Sequence, residues 1–411
     1  MKWYRFFTLC SLSTLLCAAP GDKVFLIAQD DTTPSGDRMD SDAIRDWINT
    51  NRQITIKERG GNLSLSGDVR VKLDSVGEKK ELTTINADGT SSSAIVKQRG
   101  ENGATDKAVR EYDVEANILL DYRTDNTWAS FKLQFRNDAG NANGTRDKIG
   151  LQRAYLGGRA INTDTQTLVV ETGRRSFGDV FDSRVQFGSL FDGMLFKYTA
   201  AVEGVADLYV NLGPFIIQDY YNHYGFVGEL GMLNVADTGL YLKYSLIDWD
   251  TKYSNPNAAT TEQERINAIV RNRDNDFFNH QVTLGYKWVP KWVGKVATLY
   301  SAALLNTAAR RLPLTSNKKA NFAAYVGLSM GELRKQYDWS FDVNYQWVEA
   351  QAVRDRDSIG IGRGNAKRIG TYSYTENKNT VLTDSATTVG SGNFHGLSLK
   401  FSYLFSNNLS L

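Results

Sequence analysis

The sequence predicts an all-β fold, a transmembrane antiparallel up-and-down β-barrel of about 14 strands, with 16 strands as the alternative. Two observations predict a spanning sheet in place of spanning helices. Mean hydropathy is −0.39 and 23% of the 411 residues are charged, so nothing after the N-terminus supplies the roughly 20 consecutive apolar residues of a spanning helix. Long segments instead alternate apolar and polar residues, and the connections between them alternate between short and long.

Residues 1–28 are predicted to be a signal peptide. Lys2 and Arg5 precede an apolar run, residues 6–16, that is too short to cross a bilayer. Cleavage after residue 19 or after residue 28 stays open. A lipoprotein anchor on Cys17 is less favoured, because no small residue precedes that cysteine at the usual spacing. Cys10 and Cys17 both fall in this segment, so a mature chain would have no disulfide, thiolate metal site or cysteine nucleophile.

Residues 29–61 are predicted to form a periplasmic N-terminal segment with a short helix. Asp40 or Ser41 can cap a helix that carries apolar residues, Ala43, Ile44, Trp47 and Ile48, on one face. We expect this helix to pack at the periplasmic end of the barrel.

Residues 62–411 are predicted to form the barrel, and residues 111–124 show its pattern best. Tyr112, Val114 and Ile118 share one parity of this segment, while the other parity is mostly charged. Strict alternation over more than ten residues suits a tilted strand that crosses a bilayer, whereas strands of soluble sandwiches usually have about five or six residues. Four further segments alternate in the same way, within residues 129–136, 240–246, 281–288 and 339–347.

The lengths of the connections are a second, independent indication. We place strand starts at Asn62, Glu111, Thr127, Lys148, Gln166, Phe191, Gly204, Tyr221, Thr238, Asp276, Gly294, Ala320, Tyr337 and Asn393. Short connections, such as 124–127 and 289–294, alternate with long ones, such as 74–110, 137–148, 250–275, 306–319 and 350–392. Short turns at one end and long loops at the other are typical of bacterial outer-membrane barrels.

The segment Gly173-Arg174-Arg175-Ser176-Phe177-Gly178-Asp179-Val180-Phe181-Asp182-Ser183-Arg184 and the following residues 191–198 resemble the third loop and sixth strand of the Gram-negative general porins. Within that group the chain is most similar to the porins of chlamydia-like bacteria. The resemblance covers nearly the whole mature chain and implies a passive, oligomeric diffusion channel whose third loop folds inward. The chain departs from the family in its smaller strand number and in ending with Ser-Leu where those porins end with Phe.

If that loop enters the barrel, its charges would line the narrowest point and act on passing ions. The predicted pore constriction consists of Glu171, Arg174, Arg175, Asp179, Asp182 and Arg184.

The side chains that share the lumen parity are predicted to form a charged wall. They are Arg70, Lys72, Glu111, Asp113, Glu115, Lys132, Arg136, Arg153, Arg159 and Lys197. Acidic residues on the second strand lie between basic residues on its neighbours, which predicts a ladder of opposite charges. The basic residues after Arg136 have fewer acidic neighbours, so we expect a weak preference for anions.

No pattern of enzymatic chemistry is visible. The three histidines, His223, His280 and His395, have no nucleophile and orienting group at a usable spacing, and no metal-ligand spacing occurs. Catalytic residues, metals and cofactors are therefore not expected, and a net charge of +2 does not indicate nucleic-acid binding.

The sequence thus predicts an outer-membrane porin that passes small hydrophilic solutes and ions. Its expected partners are outer-membrane lipid, the barrel-assembly machinery and further copies of itself in a homotrimer. An adhesin or surface-antigen barrel with little conductance is the alternative, because of the long connection 350–392; an outer-membrane enzyme is a more remote one.

Overall fold

A computed structural model describes most of the predicted barrel. The described residues are 54–58, 61–76, 78–85, 91–98, 109–138, 148–218, 223–249, 261, 277–309, 311, 318–354, 357–361, 394–406 and 409–410. The predicted signal peptide and the predicted helix at residues 43–48 lie outside these ranges. No helix in the described ranges is long and apolar enough to cross a membrane.

The described residues form 18 strands and one short 3-10 helix, η1 (Phe177–Asp179). In chain order the strands are β1 (Ile54–Glu58), β2 (Gly61–Val76), β3 (Glu78–Ile85), β4 (Ser91–Gln98), β5 (Val109–Arg123), β6 (Thr127–Asp138), β7 (Lys148–Asn162), β8 (Gln166–Ser176), β9 (Leu190–Val202), β10 (Ala206–Gln218), β11 (His223–Val235), β12 (Leu240–Trp249), β13 (Phe277–Trp288), β14 (Ala297–Asn306), β15 (Phe322–Gly331), β16 (Trp339–Val348), β17 (Phe394–Ser406) and β18 (Leu409–Ser410).

Sixteen of these strands form a single antiparallel sheet in the order β1-β2-β5 and then consecutively to β18. Fourteen of them, β2 and β5 to β17, have ten or more residues, and they are the 14 strands that the sequence predicts. The largest difference between a predicted and an observed strand start is Gly294 against Ala297. The two short strands, β1 and β18, bring the sheet to 16. In the described part of the chain no pairing joins its two ends.

Two segments differ from the predicted organisation. Residues 54–58, assigned from sequence to the N-terminal segment, form β1 and pair with β2 from Ile54↔Leu65 to Glu58↔Gly61. The predicted long loop 74–110 contains the hairpin β3–β4, which forms a separate two-stranded sheet. This hairpin therefore adds no strand to the main sheet.

Burial in the main sheet is inverted relative to a water-soluble β protein. Asn117, Glu171 and Gln281 are at most 3% exposed, whereas Ile118 and Val282, which immediately follow two of them, are 41% and 49% exposed. Because side chains alternate between the faces of a strand, the sheet has one polar, covered face and one apolar, open face. We call them the polar face and the apolar face. This arrangement is that of a barrel wall with lipid outside and polar groups inside.

Aromatic rings on the polar face lie flat over glycines of the neighbouring strand. Tyr241 is directly opposite Gly285, and Tyr300 is directly opposite Gly327. A Cβ atom added to Gly285 would lie 2.1 Å from the Tyr241 ring, so only glycine leaves room for it. These rings stiffen the sheet by packing across strands, which is a known way to compensate for glycine in a strand.

Candidate functional site

The loop between β8 and β9, residues 177–189, folds over the polar face of the sheet. We call it the inner loop. It starts with η1, whose first turn is capped by Ser176: the Gly178 N–H donates to the Ser176 Oγ at 3.1 Å. Its three phenylalanines, Phe177, Phe181 and Phe187, are at most 1% exposed.

Aromatic packing attaches the first part of the inner loop to the sheet. The Phe177 ring meets the rings of Phe215 and Trp249 edge-on at centroid distances of 5.0 Å and 5.8 Å. Phe191 packs against Phe177 at 5.4 Å. These partners lie on β9, β10 and β12, so the cluster spans several strands and fixes the loop by burial of apolar surface.

Asp182 attaches the middle of the inner loop through both its side chain and its backbone. Its carboxylate accepts a hydrogen bond from Lys243 Nζ at 2.7 Å, and its N–H donates to Glu229 Oε2 at 3.2 Å. Its carbonyl accepts from Gln281 Nε2 at 2.8 Å. Glu229 also accepts from the hydroxyl groups of Tyr209 and Ser245, at 2.8 Å and 2.6 Å. A buried carboxylate stabilises the fold only when donors satisfy its oxygens, and the carboxylate of Glu229 has three donors.

Ser183 and Gln186 continue the attachment along β13. Ser183 Oγ donates to Gln281 Oε1 at 2.8 Å, and Asn279 Nδ2 donates to Gln186 Oε1 at 3.1 Å. All four side chains are at most 3% exposed. The inner loop is thus held by a dry polar network as well as by its phenylalanines.

Arg184 reaches the strands beyond β13. Its guanidinium lies 3.2 Å from Asp342 Oδ2 on β16 and 4.9 Å from the ring centroid of Tyr300 on β14. The Tyr300 hydroxyl donates to the same Asp342 oxygen at 2.7 Å. A cavity of about 10 Å³, which holds no more than one water, lies between the loop and this part of the sheet.

A second charged cluster lies on the polar face of β8 and β9. Glu171 accepts hydrogen bonds from Arg175, from Lys197 Nζ at 2.9 Å and from Trp128 Nε1 at 3.2 Å. The Arg175 guanidinium lies 4.7 Å from the ring centroid of Tyr155. The sequence predicts fewer acidic neighbours for Arg175 and Lys197 than for the earlier basic residues, and in the structure Glu171 neutralises part of their charge.

Asp179 connects the inner loop to β7, a strand far from β13 in the order of the sheet. It is exposed, and its carboxylate lies 3.2 Å from Arg153 Nη2 on β7. Arg153 therefore has an acidic partner that comes from the loop and could not be read from the neighbouring strands. Arg159 and Lys132 have no acidic partner within ion-pair distance among the described residues.

Arg174 lies apart from this group. β8 continues to Ser176, so alternation puts Arg174 and Arg175 on opposite faces of the strand. Arg174 is on the apolar face, where it forms a two-pronged ion pair with Asp192 at 2.6 Å for both contacts. Of the predicted constriction, Asp179, Asp182 and Arg184 belong to the inner loop, Glu171 and Arg175 lie on the polar face of β8, which leads into it, and Arg174 lies on the apolar face.

The predicted acidic strand is in register with its basic neighbours. Arg70 is directly opposite Glu115, and Glu115 is directly opposite Arg136. Lys72 is likewise opposite Asp113. The register does not continue the ladder throughout, because Glu111 is opposite Asp74 and Asp113 is also opposite Asp138. The side chains of Lys72, Glu111, Asp113 and Arg136 are outside the described set.

Sequence reasoning missed the residues of the sheet that hold the inner loop: Glu229, Lys243, Asn279, Gln281, Asp342 and, outside the strands, Asp357. The first five lie at polar-face positions of their strands, so alternation along each strand could have predicted their face but not their partners. The partner of each depends on how the loop folds.

Among the described residues no group of three potential ligands could hold a metal ion. His280 accepts or donates a 2.7 Å hydrogen bond with Tyr244, and His395 stacks on Trp347.

Comparisons with known proteins find similarity only to solved structures. No family model and no curated protein matches the chain. Similar structures include Salmonella typhi OmpF in complex with daunomycin, with a TM-score of 0.32, 9% identity, and coverage of 71% of this chain and 92% of that one. Two triple mutants of Rh. blastica porin have TM-scores of 0.27 and 0.26 and 13% identity, covering 70% and 69% of this chain and 96% and 94% of theirs. With similarity this low, function has to be argued from the residues of the chain itself.

Proposed function

We propose that the chain is an outer-membrane porin, a passive diffusion channel for small polar solutes and ions. The inverted burial of the sheet carries the proposal: β2 and β5 to β17 cover a polar face and leave an apolar face open. An apolar face of this extent needs an apolar partner, which lipid provides around a barrel, and a polar inner face is what a water-filled passage requires. Lipid, the barrel-assembly machinery and a trimeric assembly are its proposed partners, as the resemblance to general porins and to those of chlamydia-like bacteria implies.

The inner loop would form the constriction, with Glu171, Arg175, Asp179, Asp182 and Arg184 around it. Its inner side packs against strands from β10 to β16, and a cavity of about 10 Å³ lies between them. The passage would therefore run along the other side of the loop, between Asp179 and the strands that carry Lys132, Arg153 and Arg159.

A weak preference for anions follows from the charges along this route. Arg153 and Arg184 each pair with a carboxylate of their own, whereas Arg175 and Lys197 share that of Glu171. Lys132 and Arg159 are not matched within the described residues, so a small positive excess remains. In a confined passage with low-dielectric walls such an excess raises the local anion concentration.

The test is the zero-current potential across a KCl gradient in planar bilayers. We expect a wild-type channel with a weak anion preference, and a double variant Lys132→Ala/Arg159→Ala whose potential shifts toward cations. Arg174→Ala is the matched control, because its side chain lies on the apolar face, and its potential should equal that of the wild type. The preference should also fade as salt rises, since exposed charges are screened over about 8 Å at physiological ionic strength.

A cation-selective wild type, or a double variant that behaves like Arg174→Ala, would remove the anion preference. An absence of any conductance would favour the second candidate, an adhesin or surface-antigen barrel. One observation supports that candidate: two apolar clusters, with the inner loop and part of the β16–β17 connection, occupy the polar face.

A further inference from the structure

The first part of the connection after β16 is bound to the inner loop. The described residues of this part are 351–354 and 357–361, which we call the clasp. These residues begin the long connection predicted over residues 350–392, and Ala352, Val353 and Asp357 are at most 1% exposed. Ala352 and Val353 pack in the same apolar cluster as Val185 of the inner loop.

Backbone hydrogen bonds join the clasp to the inner loop in both directions. The Gly188 N–H donates to the Asp357 carbonyl at 2.9 Å, and the Ile359 N–H donates to the Val185 carbonyl at 3.0 Å. The contact is close: a Cβ atom added to Gly188 would lie 2.6 Å from Ile359 Cγ2 and 2.9 Å from the Ser358 carbonyl oxygen.

The Asp357 side chain is the centre of this contact. Its carboxylate accepts hydrogen bonds from the N–H of Phe187 at 3.0 Å and from the N–H of Ser189 at 3.2 Å. The Ser189 hydroxyl donates to it as well. Asp357 therefore satisfies two backbone donors of the last turn of the loop, in a place from which water is excluded.

We propose that Asp357 is a positioning residue that holds residues 185–189 of the inner loop against the sheet and thereby sets the width of the passage. The effect on the width of the passage rests on the proposed function. The position of the loop rests on the contacts alone. The β8–β9 loop is fixed at its start by phenylalanines and in its middle by Glu229 and Gln281. Its last residues add contacts with the clasp to those that Gln186 makes with β13 and Phe187 makes with Phe177 and Phe181. The clasp comes from a part of the chain about 170 residues away.

A thiol-labelling experiment tests the position of the loop without requiring conduction. Val185→Cys is introduced into a chain with Cys10→Ser and Cys17→Ser, refolded in lipid, and exposed to a small charged methanethiosulfonate. Val185 is 0% exposed, so labelling should be slow. With Asp357→Ala added, labelling should be faster by roughly tenfold or more, because two buried N–H donors lose their acceptor and the loop opens more often.

Three variants make the experiment specific. Asp357→Asn keeps an acceptor oxygen and should restore part of the protection. Gly188→Ala should increase labelling by pushing the clasp away, even though Asp357 is intact, which provides a test should Asp357→Ala fail to fold. Asp125→Ala is the control, because Asp125 is exposed in the short turn between β5 and β6, at the end of the sheet away from the inner loop. In this variant the introduced thiol should be labelled as slowly as in the Val185→Cys parent.

Single-channel conductance is measured on the same proteins. Asp357→Ala and Gly188→Ala should conduct more, with more open-channel noise, and liposomes that contain them should admit larger sugars. Labelling that is unchanged in both variants, or equally raised in Asp125→Ala, would overturn the proposal. Increased labelling with no conductance in any protein would support the positioning role of Asp357 and contradict the porin function, so the two failures are distinguishable.

Discussion

Asp357 is the residue whose environment departs most clearly from that of an ordinary loop carboxylate. It is 0% exposed, and burial raises its pKa to about 6, against the hydrogen bonds from Ser189 and Phe187 and the charge of Arg354, which favour the ionised form. An aspartate in an unfolded chain has a pKa of about 3.9. The protonated form is therefore favoured by folding.

This pKa predicts a pH dependence of stability that can be assigned to one group. Because the pKa is raised in the folded state, the contribution of Asp357 is fully present below about pH 4 and is lost as the pH rises through about 6. Relative to Asp357→Asn, the wild type should gain up to roughly 3 kcal/mol in its free energy of unfolding between pH 8 and pH 4. Urea unfolding of both proteins in lipid at pH 8 and pH 4 measures this difference in the free energy of unfolding. An equal difference between the two proteins at both pH values would contradict the raised pKa.

At the scale of the element, each strand is defined by the contrast between its two faces. β17 shows this in adjacent residues: Leu399 is 63% exposed on the apolar face, whereas Ser398 is half-buried on the polar face opposite Asn344. Both lie near the middle of a 13-residue strand. A change in one of them is therefore a test of the environment on one side of the sheet.

Arginine substitutions at these two positions should have different costs. Leu399→Arg places a charge where we expect lipid and should cost roughly 2–4 kcal/mol if the position is near the bilayer midplane. Ser398→Arg points toward the polar side, near Asp342, and should assemble almost normally. The folded fraction in lipid at increasing urea concentrations distinguishes them. Equal destabilisation would mean that the apolar face of β17 does not meet lipid.

At the scale of the whole molecule, the two ends of the sheet differ in their connections. The turns at one end are short: 124–126, 163–165, 203–205, 236–239, 289–296 and 332–338. At the other end lie the inner loop, the hairpin β3–β4 and the clasp. The short-turn end also carries Asp338, which accepts hydrogen bonds from Lys295 Nζ and from the N–H groups of Arg334 and Lys335 and closes the turn between β15 and β16.

This asymmetry predicts the orientation in the membrane. An epitope tag inserted next to Trp292, in the short turn 289–296, should be inaccessible to antibody on intact cells and accessible after the outer membrane is permeabilised. A tag inserted within residues 250–275, at the other end of β13, should be accessible on intact cells. Trp292 is 82% exposed, so a tag there should not disturb the fold. The reverse pattern of accessibility would mean that the orientation is inverted.

The sequence by itself determined the strands and their faces, because alternation with period two is a local property of the chain. It placed Glu115 between basic neighbours correctly, since long strands that follow one another along the chain pair with each other in an up-and-down sheet. Arg174 was assigned to the constriction because residues 173–184 resemble a third loop; β8 continues to Ser176, and alternation along it puts Arg174 on the apolar face.

Only the tertiary structure decided what the inner loop binds. Ser183 and Gln281 are separated by 98 residues, Arg184 and Asp342 by 158, and Phe187 and Asp357 by 170. No local pattern specifies such pairs, because they depend on the path of the loop across the polar face and on which strands curve to meet it. The inward fold of the clasp has the same origin: Ala352 and Val353 are buried by packing with Val185, which period and composition do not encode.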